Sequence, residues 1–166
     1  MSKDFNDNNI IHVKDNQIEY IKFKILEKYS DKLKHCITLR HGGVSTGCYE
    51  SLNFRITGED TRKNVLKNLN TICNCLKIDS EKIYKSKLGH TDKILVLDLN
   101  NKEEYKYTKY NTSLHDAFIT KEKNVGTFVT TADCIPVIMY DPKKEVVATI
   151  HSGWARNNKT YIYKSN

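Results

Sequence analysis

Two apolar runs near the end of the chain constrain its fold more than any other feature. Residues 135–140 read Ile-Pro-Val-Ile-Met-Tyr, and residues 146–150 read Val-Val-Ala-Thr-Ile. Both runs are rich in residue types that favour strands. Residues 141–144, Asp-Pro-Lys-Lys, separate them and begin with a turn-forming pair. The pattern predicts a β-hairpin covered on both faces, with the missing amide of Pro136 directed away from a partner strand.

The expected register of this hairpin brings a cysteine and a histidine together. A four-residue loop at 141–144 would pair Tyr140 with Glu145, and the same register places Cys134 directly opposite His151. Opposed residues point to the same face of a sheet, with Cβ atoms roughly 4.5–5.5 Å apart. Such a thiolate and imidazole can share a metal ion or form a Cys-His dyad. Taken alone, a cysteine and a histidine at strand ends are more often structural residues.

A metal site at this position needs a third ligand, because a catalytic zinc ion typically has three protein ligands and one open position. His90 lies in a glycine-containing turn between two predicted strands, which suits a side chain that points into a cleft. His41 and His115 stay open as alternatives on physical grounds. His12 and His35 have no polar neighbours in the sequence pattern, and we interpret them as surface or structural residues.

The rest of the chain contains one clear helix and several short strands. The helix is capped by Asp60 or Thr61, carries apolar residues at helical spacing from Val65 to Leu76, and is expected to end at residues 79–80. Residues 100–112 are polar and contain tyrosines, so we expect a loop or an exposed edge there. Short strands are predicted at residues 21–25, 37–39, 83–87, 94–98 and 117–120.

The charge of the chain does not indicate a nucleic-acid partner. The 27 basic and 20 acidic residues give a net charge of +7, but only four of the basic residues are arginine. Arginine is the residue that reads bases and phosphates in a bidentate manner, and the lysines are spread along the whole chain. A small anionic substrate would still be attracted by the positive charge.

Length and cysteine usage indicate one cytoplasmic domain. The 166 residues contain no stretch close to the roughly 20 apolar residues of a membrane span. Five cysteines without an export signal argue against a disulfide framework. We expect a disordered lead-in at 1–9, a domain at 10–154 and an irregular polar tail at 155–166.

Two longer motifs resemble signatures of a known family. Residues 40–47, Arg-His-Gly-Gly-Val-Ser-Thr-Gly, and residues 49–53, Tyr-Glu-Ser-Leu-Asn, resemble the N-terminal signature of the multicopper polyphenol oxidase (laccase)-like family. Residues 131–137, Thr-Ala-Asp-Cys-Ile-Pro-Val, together with residues 150–154, Ile-His-Ser-Gly-Trp, resemble its central signature. The motifs occur in the family's order and are far more specific than a short glycine motif.

The resemblance implies a fold, a metal and an activity. The fold would be a single compact α/β (α+β) domain with a mixed sheet, similar to the deamidase domains of cytotoxic necrotizing toxins. The metal would be held by His90, Cys134 and His151, with zinc as the expected ion and copper as the alternative. The activity would be phosphorolysis of adenosine, inosine and methylthioadenosine to the free base and ribose 1-phosphate, with adenosine deamination as a second reaction.

Phosphorolysis needs phosphate near the ribose C1′ and a proton or dipole at the departing purine. Arg40 and the amides of Gly42 and Gly43 are candidates for holding phosphate. Asp133 is a candidate for contacting the purine or for orienting a ligand histidine. An equally open interpretation is that Arg40 and Asp133 only brace their loops. Further candidate substrate-binding residues are Ser45 and Asn53.

Two departures from the family pattern matter. The family usually has Gln two residues before the histidine matched by His90, where this chain has Leu88. The family also continues after Gly-Trp with Arg-Gly and further helices and strands, whereas this chain has Ala-Arg-Asn and then ends. These features suggest a member truncated at its C-terminus. The expected consequences are low stability or self-association, weak or absent catalysis, and partly exposed apolar side chains at Val137, Met139, Val147 and Thr149.

Three other functions stay open. A metal-free hydrolase would use Cys134 as nucleophile and His151 as base. Copper-dependent phenol oxidation has thin support, because it needs a multicopper cluster and the chain has only six histidines. The third alternative is an inactive remnant or binding module. For the enzyme, the expected partners are a purine nucleoside and phosphate, with no nucleic acid or membrane, and the oligomer considered is a homodimer.

Overall fold

The secondary structure falls into two compact units, Met1–Ile78 and Asp79–Asn166. The computed structural model describes residues 9–15, 17–56 and 58–153. Residues 1–8 of the lead-in expected at 1–9, and the tail expected at 155–166, therefore lie outside the described residues. Within the described part of the chain, no helix is both long and apolar enough to cross a membrane.

Among its described residues, the first unit contains a three-stranded antiparallel sheet and two α-helices. The strands are β1 (Ile10–Asp15), β2 (Ile18–Phe23) and β3 (Ile37–Thr38), in that order. Helix α1 (Lys24–Glu27) follows β2 directly, so the strand predicted at 21–25 starts earlier and ends sooner than expected. Strand β1 was not predicted from the sequence, and it pairs with β2 along its whole length.

Helix α2 (Arg62–Leu76) confirms the clearest prediction from the sequence. Thr61 is its N-cap, and the Thr61 hydroxyl accepts a hydrogen bond from the Asn64 amide at 3.2 Å. The helix ends at Lys77, which has a left-handed backbone with φ 56°, before the expected end at 79–80. The buried face of the helix consists of Val65, Asn68, Leu69, Ile72 and Cys73.

The second unit is built on two sheets. Its strands are β4 (Ile83–Tyr84), β5 (Ile94–Val96), β6 (Ala117–Thr120), β7 (Gly126–Thr127), β8 (Ile135–Asp141) and β9 (Val146–Ser152). Strands β4 and β7 form a parallel pair. The other four form a mixed sheet in the order β5-β6-β9-β8, in which only the β5-β6 pair is parallel.

One face of the four-stranded sheet carries the core of this unit. Leu95 and Phe118 pack there with Tyr84, Leu97 and Tyr105. The prediction of a loop or exposed edge at 100–112 is wrong in part, because Tyr105 and Tyr107 are buried. The Tyr107 amide donates to the Ile83 carbonyl at 2.8 Å. The tyrosine rings supply apolar surface to the core, although most other residues of this segment are polar.

The β8-β9 hairpin exists, but its register differs from the prediction by two residues. Pro136 pairs with His151, so Cys134 is not directly opposite His151. The four-residue loop is 142–145, one residue later than expected, because the Asp141 carboxylate accepts hydrogen bonds from the amides of the loop at 2.8 and 3.0 Å. Side chains alternate along a strand, so a shift of two residues keeps every side chain on its predicted face.

The position of Pro136 agrees with the sequence prediction. The His151 amide donates to the Asp116 carbonyl at 2.7 Å, on the side of β9 that faces β6. The Pro136–His151 pair is therefore of the non-hydrogen-bonded type, in which the amide positions of both residues point away from each other. The missing N–H of Pro136 thus faces away from β9, and the ladder loses no hydrogen bond.

The predicted apolar patch is distributed differently. The register places Val137 and Met139 on one face of the sheet and Val147 and Thr149 on the other. Met139 is exposed, whereas the other three are half-buried. The Thr149 hydroxyl is within 2.6 Å of the Thr127 hydroxyl, so Thr149 has a hydrogen-bonding partner on the core side of the sheet. All four side chains are therefore partly exposed, as predicted, but they do not form a single patch.

Candidate metal centre

Three side chains from separate parts of the second unit converge at one point. His90 lies in the loop between β4 and β5, Cys134 immediately precedes β8, and His151 belongs to β9. One ligand atom of each, an imidazole nitrogen or the thiol sulfur, lies within 4.8 Å of the other two. His151 is buried, Cys134 is half-buried and His90 is exposed, so the cluster lies at the edge of the core. Sequence analysis named these three residues.

The donor set and its spacing suit a zinc ion. Zinc binds thiolate sulfur at about 2.3 Å and imidazole nitrogen at about 2.0–2.1 Å in a tetrahedral arrangement, which separates the ligand atoms by roughly 3.3–3.8 Å. The ligand atoms in the structure lie within 4.8 Å of one another, and small side-chain rotations would bring them to these separations. Three protein ligands would leave the fourth position open, as in catalytic zinc sites.

A buried carboxylate that sequence analysis missed holds this cluster in place. One oxygen of Asp116 lies 2.8 Å from Nδ1 of His151. The same carboxylate accepts hydrogen bonds from the backbone amides of Gly89 at 3.2 Å, His90 at 3.0 Å and Thr91 at 2.6 Å. Burial would raise the pKa of Asp116, but the hydrogen bonds from Thr91 and His151 outweigh it, so its pKa is lowered.

The sequence contains a weak signal for Asp116. It is an acidic residue placed directly before the predicted strand at 117–120 and preceded by a histidine. The hypothesis under which Asp133 orients a ligand histidine does not hold for His151, whose partner is Asp116. Asp133 itself is exposed, and its role toward the purine stays a prediction.

The other histidines have different surroundings. His115 Nδ1 lies 3.1 Å from the Ser86 hydroxyl, and its ring packs edge-on against Tyr105, so it does not form the third corner of the cluster. His35 is buried and its Nε2 accepts a hydrogen bond from the Phe23 amide at 2.9 Å, as expected for a structural residue. His12 lies on β1 and is within 3.4 Å of a glutamate, so the expected lack of polar neighbours is wrong.

The glycine-rich loop in the first unit is organised by Asn68, a second residue that sequence analysis missed. Asn68 is fully buried in α2, and its Oδ1 accepts a hydrogen bond from the Val44 amide at 2.8 Å. Its Nδ2 donates to the Ser45 hydroxyl and to the Asn53 carbonyl, both at 2.9 Å. A polar residue inside the apolar stripe of α2 was the available signal for this role.

The candidate substrate-binding residues in this loop already have internal partners. The Ser45 hydroxyl donates to Asp60 at 2.6 Å, and the Asn53 amide group donates to the same carboxylate at 2.9 Å. The Gly43 amide donates to the Ser51 hydroxyl at 3.2 Å. These contacts brace the loop. Direct contact with substrate stays a prediction for all three.

Gly42 and Arg40 belong to the same glycine-rich loop. Gly42 has a φ of 94° and lies so close to β2 that a Cβ atom would be 2.1 Å from the Gln17 carbonyl oxygen, so only glycine fits. Arg40 is exposed, and its Nε donates to the Glu50 carbonyl. This contact fixes the guanidinium against its own loop.

Comparison with known proteins gives a consistent picture. Residues 34–164 match the family model described as multi-copper polyphenol oxidoreductase laccase. A protein of Bacteroides thetaiotaomicron named purine nucleoside phosphorylase is 30% identical over 86% of this chain and 52% of its own length. Purine nucleoside phosphorylase YlmD of Bacillus subtilis is 31% identical over 70% of this chain and 42% of its own length.

Solved structures share the fold. The crystal structure of the hypothetical protein YfiH of Bacillus licheniformis superposes with a TM-score of 0.74 at 22% identity, over 89% of this chain and 53% of that one. The predicted α/β fold with mixed sheets is therefore confirmed. The chain spans about half the length of the curated relatives it matches.

Proposed function

The chain belongs to the multi-copper polyphenol oxidoreductase laccase family, and we propose that it provides the metal centre of a zinc-dependent purine nucleoside phosphorylase. The observation that carries the proposal is the convergence of His90, Cys134 and His151. The names of the relatives give the reaction class. The proposed reaction is phosphorolysis of adenosine, inosine or methylthioadenosine to the free base and ribose 1-phosphate, with deamination of adenosine as a second reaction.

The residues of the cluster have separate tasks in this proposal. Cys134 supplies a thiolate, and the carboxylate of Asp116 keeps the proton of His151 on Nδ1, so that Nε2 faces the metal position. His90 supplies the second imidazole from an exposed loop, where substrate has access. A bound zinc ion would supply Lewis-acid chemistry at the open fourth position.

Substrate contacts are assigned by charge and exposure. Arg40 is the proposed phosphate contact, because its guanidinium carries several donors in a planar fork and only its Nε is directed to Glu50. We assign Gly42, Gly43, Ser45 and Asn53 to shaping the loop that presents this arginine, on the basis of their internal contacts. Exposed Asp133, next to Cys134, is the proposed contact to the purine.

The decisive experiment combines metal analysis with a product assay. Purified protein is expected to contain close to one equivalent of zinc rather than copper, and to release hypoxanthine from inosine only when phosphate is present. Cys134→Ala should lose the metal and the activity, because no other thiol belongs to the cluster. Cys75→Ala, which removes a half-buried cysteine of helix α2 in the first unit, is the matched control and should retain both. A Cys134→Ala protein that keeps its zinc contradicts the proposal.

A metal-free hydrolase is the second candidate, and one observation favours it. A nucleophile, a base and a carboxylate that orients the base could be supplied by Cys134, His151 and Asp116, respectively. In that case His90 would be dispensable, and the enzyme would be active after treatment with a chelator. Loss of activity on chelation, with recovery on addition of zinc, excludes this alternative.

A further inference from the structure

We propose that Asp116 is a positioning residue that sets two of the three metal ligands at once. The proposal rests on the metal centre described above, but it concerns contacts within the chain. The side chain of Asp116 is only 1% exposed. Both of its oxygens are engaged, one mainly by His151 and His90, the other by the amide and hydroxyl of Thr91. A charge buried in this way is retained only when its hydrogen bonds are complete.

The first ligand that Asp116 controls is His151. Asp116 contacts it twice, since its carbonyl accepts the His151 amide at 2.7 Å and its Oδ1 lies 2.8 Å from Nδ1 of the ring. An ionised carboxylate only accepts, so the ring must carry its proton on Nδ1. Nε2 then presents a lone pair to the metal position. The alternative tautomer would direct an N–H at the metal position and would exclude the ion.

The second ligand that Asp116 controls is His90. The backbone of His90 is left-handed, with φ 54°, a conformation that costs a residue with a Cβ about 1–2 kcal/mol. The amides of Gly89, His90 and Thr91 all point to the Asp116 carboxylate, as in a small anion-binding nest. The carboxylate therefore holds the turn that directs the His90 ring toward His151, with ring centroids 5.0 Å apart.

Replacing Asp116 with asparagine changes the charge and the hydrogen bonding at this position but keeps the size of the side chain. Asp116→Asn keeps the shape but replaces one acceptor oxygen with an NH2 group. If the NH2 group takes the position next to His151, it donates to Nδ1 and moves the ring proton to Nε2, where the metal would bind. If it takes the other position, it opposes the Thr91 amide, which is also a donor. Either orientation damages one of the two ligands.

The test starts with the wild-type protein and needs no substitution. In metal-free protein at alkaline pH, long-range nitrogen-proton NMR spectra should show His151 as the Nδ1-protonated tautomer. Asp116→Asn should shift His151 toward the Nε2-protonated tautomer or speed hydrogen exchange at the His90 and Thr91 amides. It should also weaken zinc binding by about 10–100-fold in competition with a chelator, the usual effect of removing such a partner.

The matched control is Asp141→Asn. Asp141 also accepts hydrogen bonds from two backbone amides in a turn, but it contacts no histidine in the described structure. This control should leave the tautomer and the zinc affinity unchanged. Nδ1 of His151 found unprotonated in the wild type, or equal zinc affinities of the two variants, would overturn the role of Asp116. If wild-type protein binds no zinc but has the expected tautomer, the proposed function fails and the positioning role of Asp116 stands.

Discussion

The half-buried carboxylate of Asp60 stabilises a loop in the first unit. Its oxygens accept hydrogen bonds from Asn53, Ser45 and Asn64, and these contacts lower its pKa. A carboxyl group with a lowered pKa in the folded state contributes stability above its ordinary pKa of about 3.9 and loses it as the pH falls through the lowered value. We expect Asp60→Asn to lower the urea midpoint at neutral pH, and the difference from wild type to shrink below about pH 4. A difference that is constant with pH would contradict this role of the charge.

The buried side chain of Asn68 is expected to contribute strongly to the stability of the first unit. Asn68→Ala removes the partner of the half-buried Val44 amide and of the Ser45 hydroxyl, and should cost about 2–4 kcal/mol of unfolding free energy. Asn70→Ala changes an exposed asparagine of the same helix and should be neutral or slightly stabilising. Equal urea midpoints for the two variants would show that the network contributes nothing.

At the level of single residues, the three candidate ligands were predictable and the residues that support them were not. Cys134 and His151 follow from the ends of two apolar runs, and His90 follows from the turn between two predicted strands together with the resemblance to the family. Asp116 lies 35 residues from His151 in the chain, and its role depends on the pairing of β6 with β9. No local pattern encodes such a contact. The same limit applies to Asn68, whose partners lie 15–24 residues away.

The C-terminal end of α2 allows a test at the level of the element. Lys77 adopts φ 56°, and its amide and that of Ile78 close the helix by bonding to carbonyls of the last turn at 3.0 and 2.9 Å. Lys77→Gly should raise the unfolding free energy by about 0.5–1 kcal/mol, because relief of the left-handed strain exceeds the extra entropy of glycine in the unfolded chain. Thermal unfolding measures this change.

A control in the same helix should change stability in the opposite direction. Lys67 is an exposed residue within α2, where glycine costs about 1 kcal/mol relative to a good helix former. Lys67→Gly should therefore lower the melting temperature that Lys77→Gly raises. If both variants are destabilised, the backbone at Lys77 is not under the strain that its φ indicates.

The hairpin shows why registers are harder to predict than elements. The sequence places a four-residue loop between β8 and β9, but two positions of that loop fit the apolar runs equally well. The Asp141 side chain decides between them by binding the amides of Lys143 and Lys144, which extends β8 by one residue. The resulting shift of two residues leaves Cys134 and His151 on one face, although the predicted register was wrong.

The face of the four-stranded sheet opposite its core is apolar across all four strands. The register aligns Val96, Ile119, Ala148 and Met139 in one row. A second row consists of Ile94, Ala117, Ile150 and Val137. Val96 is 60% exposed and Met139 is 46% exposed, whereas Ala117 in the second row is buried, so the exposure is concentrated in the first row, which we call the open face. It ends at β8, the last strand in the order of this sheet.

We expect this chain to associate with copies of itself through the open face. A contiguous apolar surface that is partly exposed to solvent provides a hydrophobic driving force for association. The double variant Val96→Lys, Met139→Lys places a charge at each end of one row and should shift the protein toward monomer in sedimentation velocity runs at increasing concentration. Ile25→Lys is the matched control, because Ile25 is 72% exposed but lies in α1 of the first unit. A wild-type protein that stays monomeric at high concentration, or a control that dissociates as fully as the double variant, would contradict the assignment to this face.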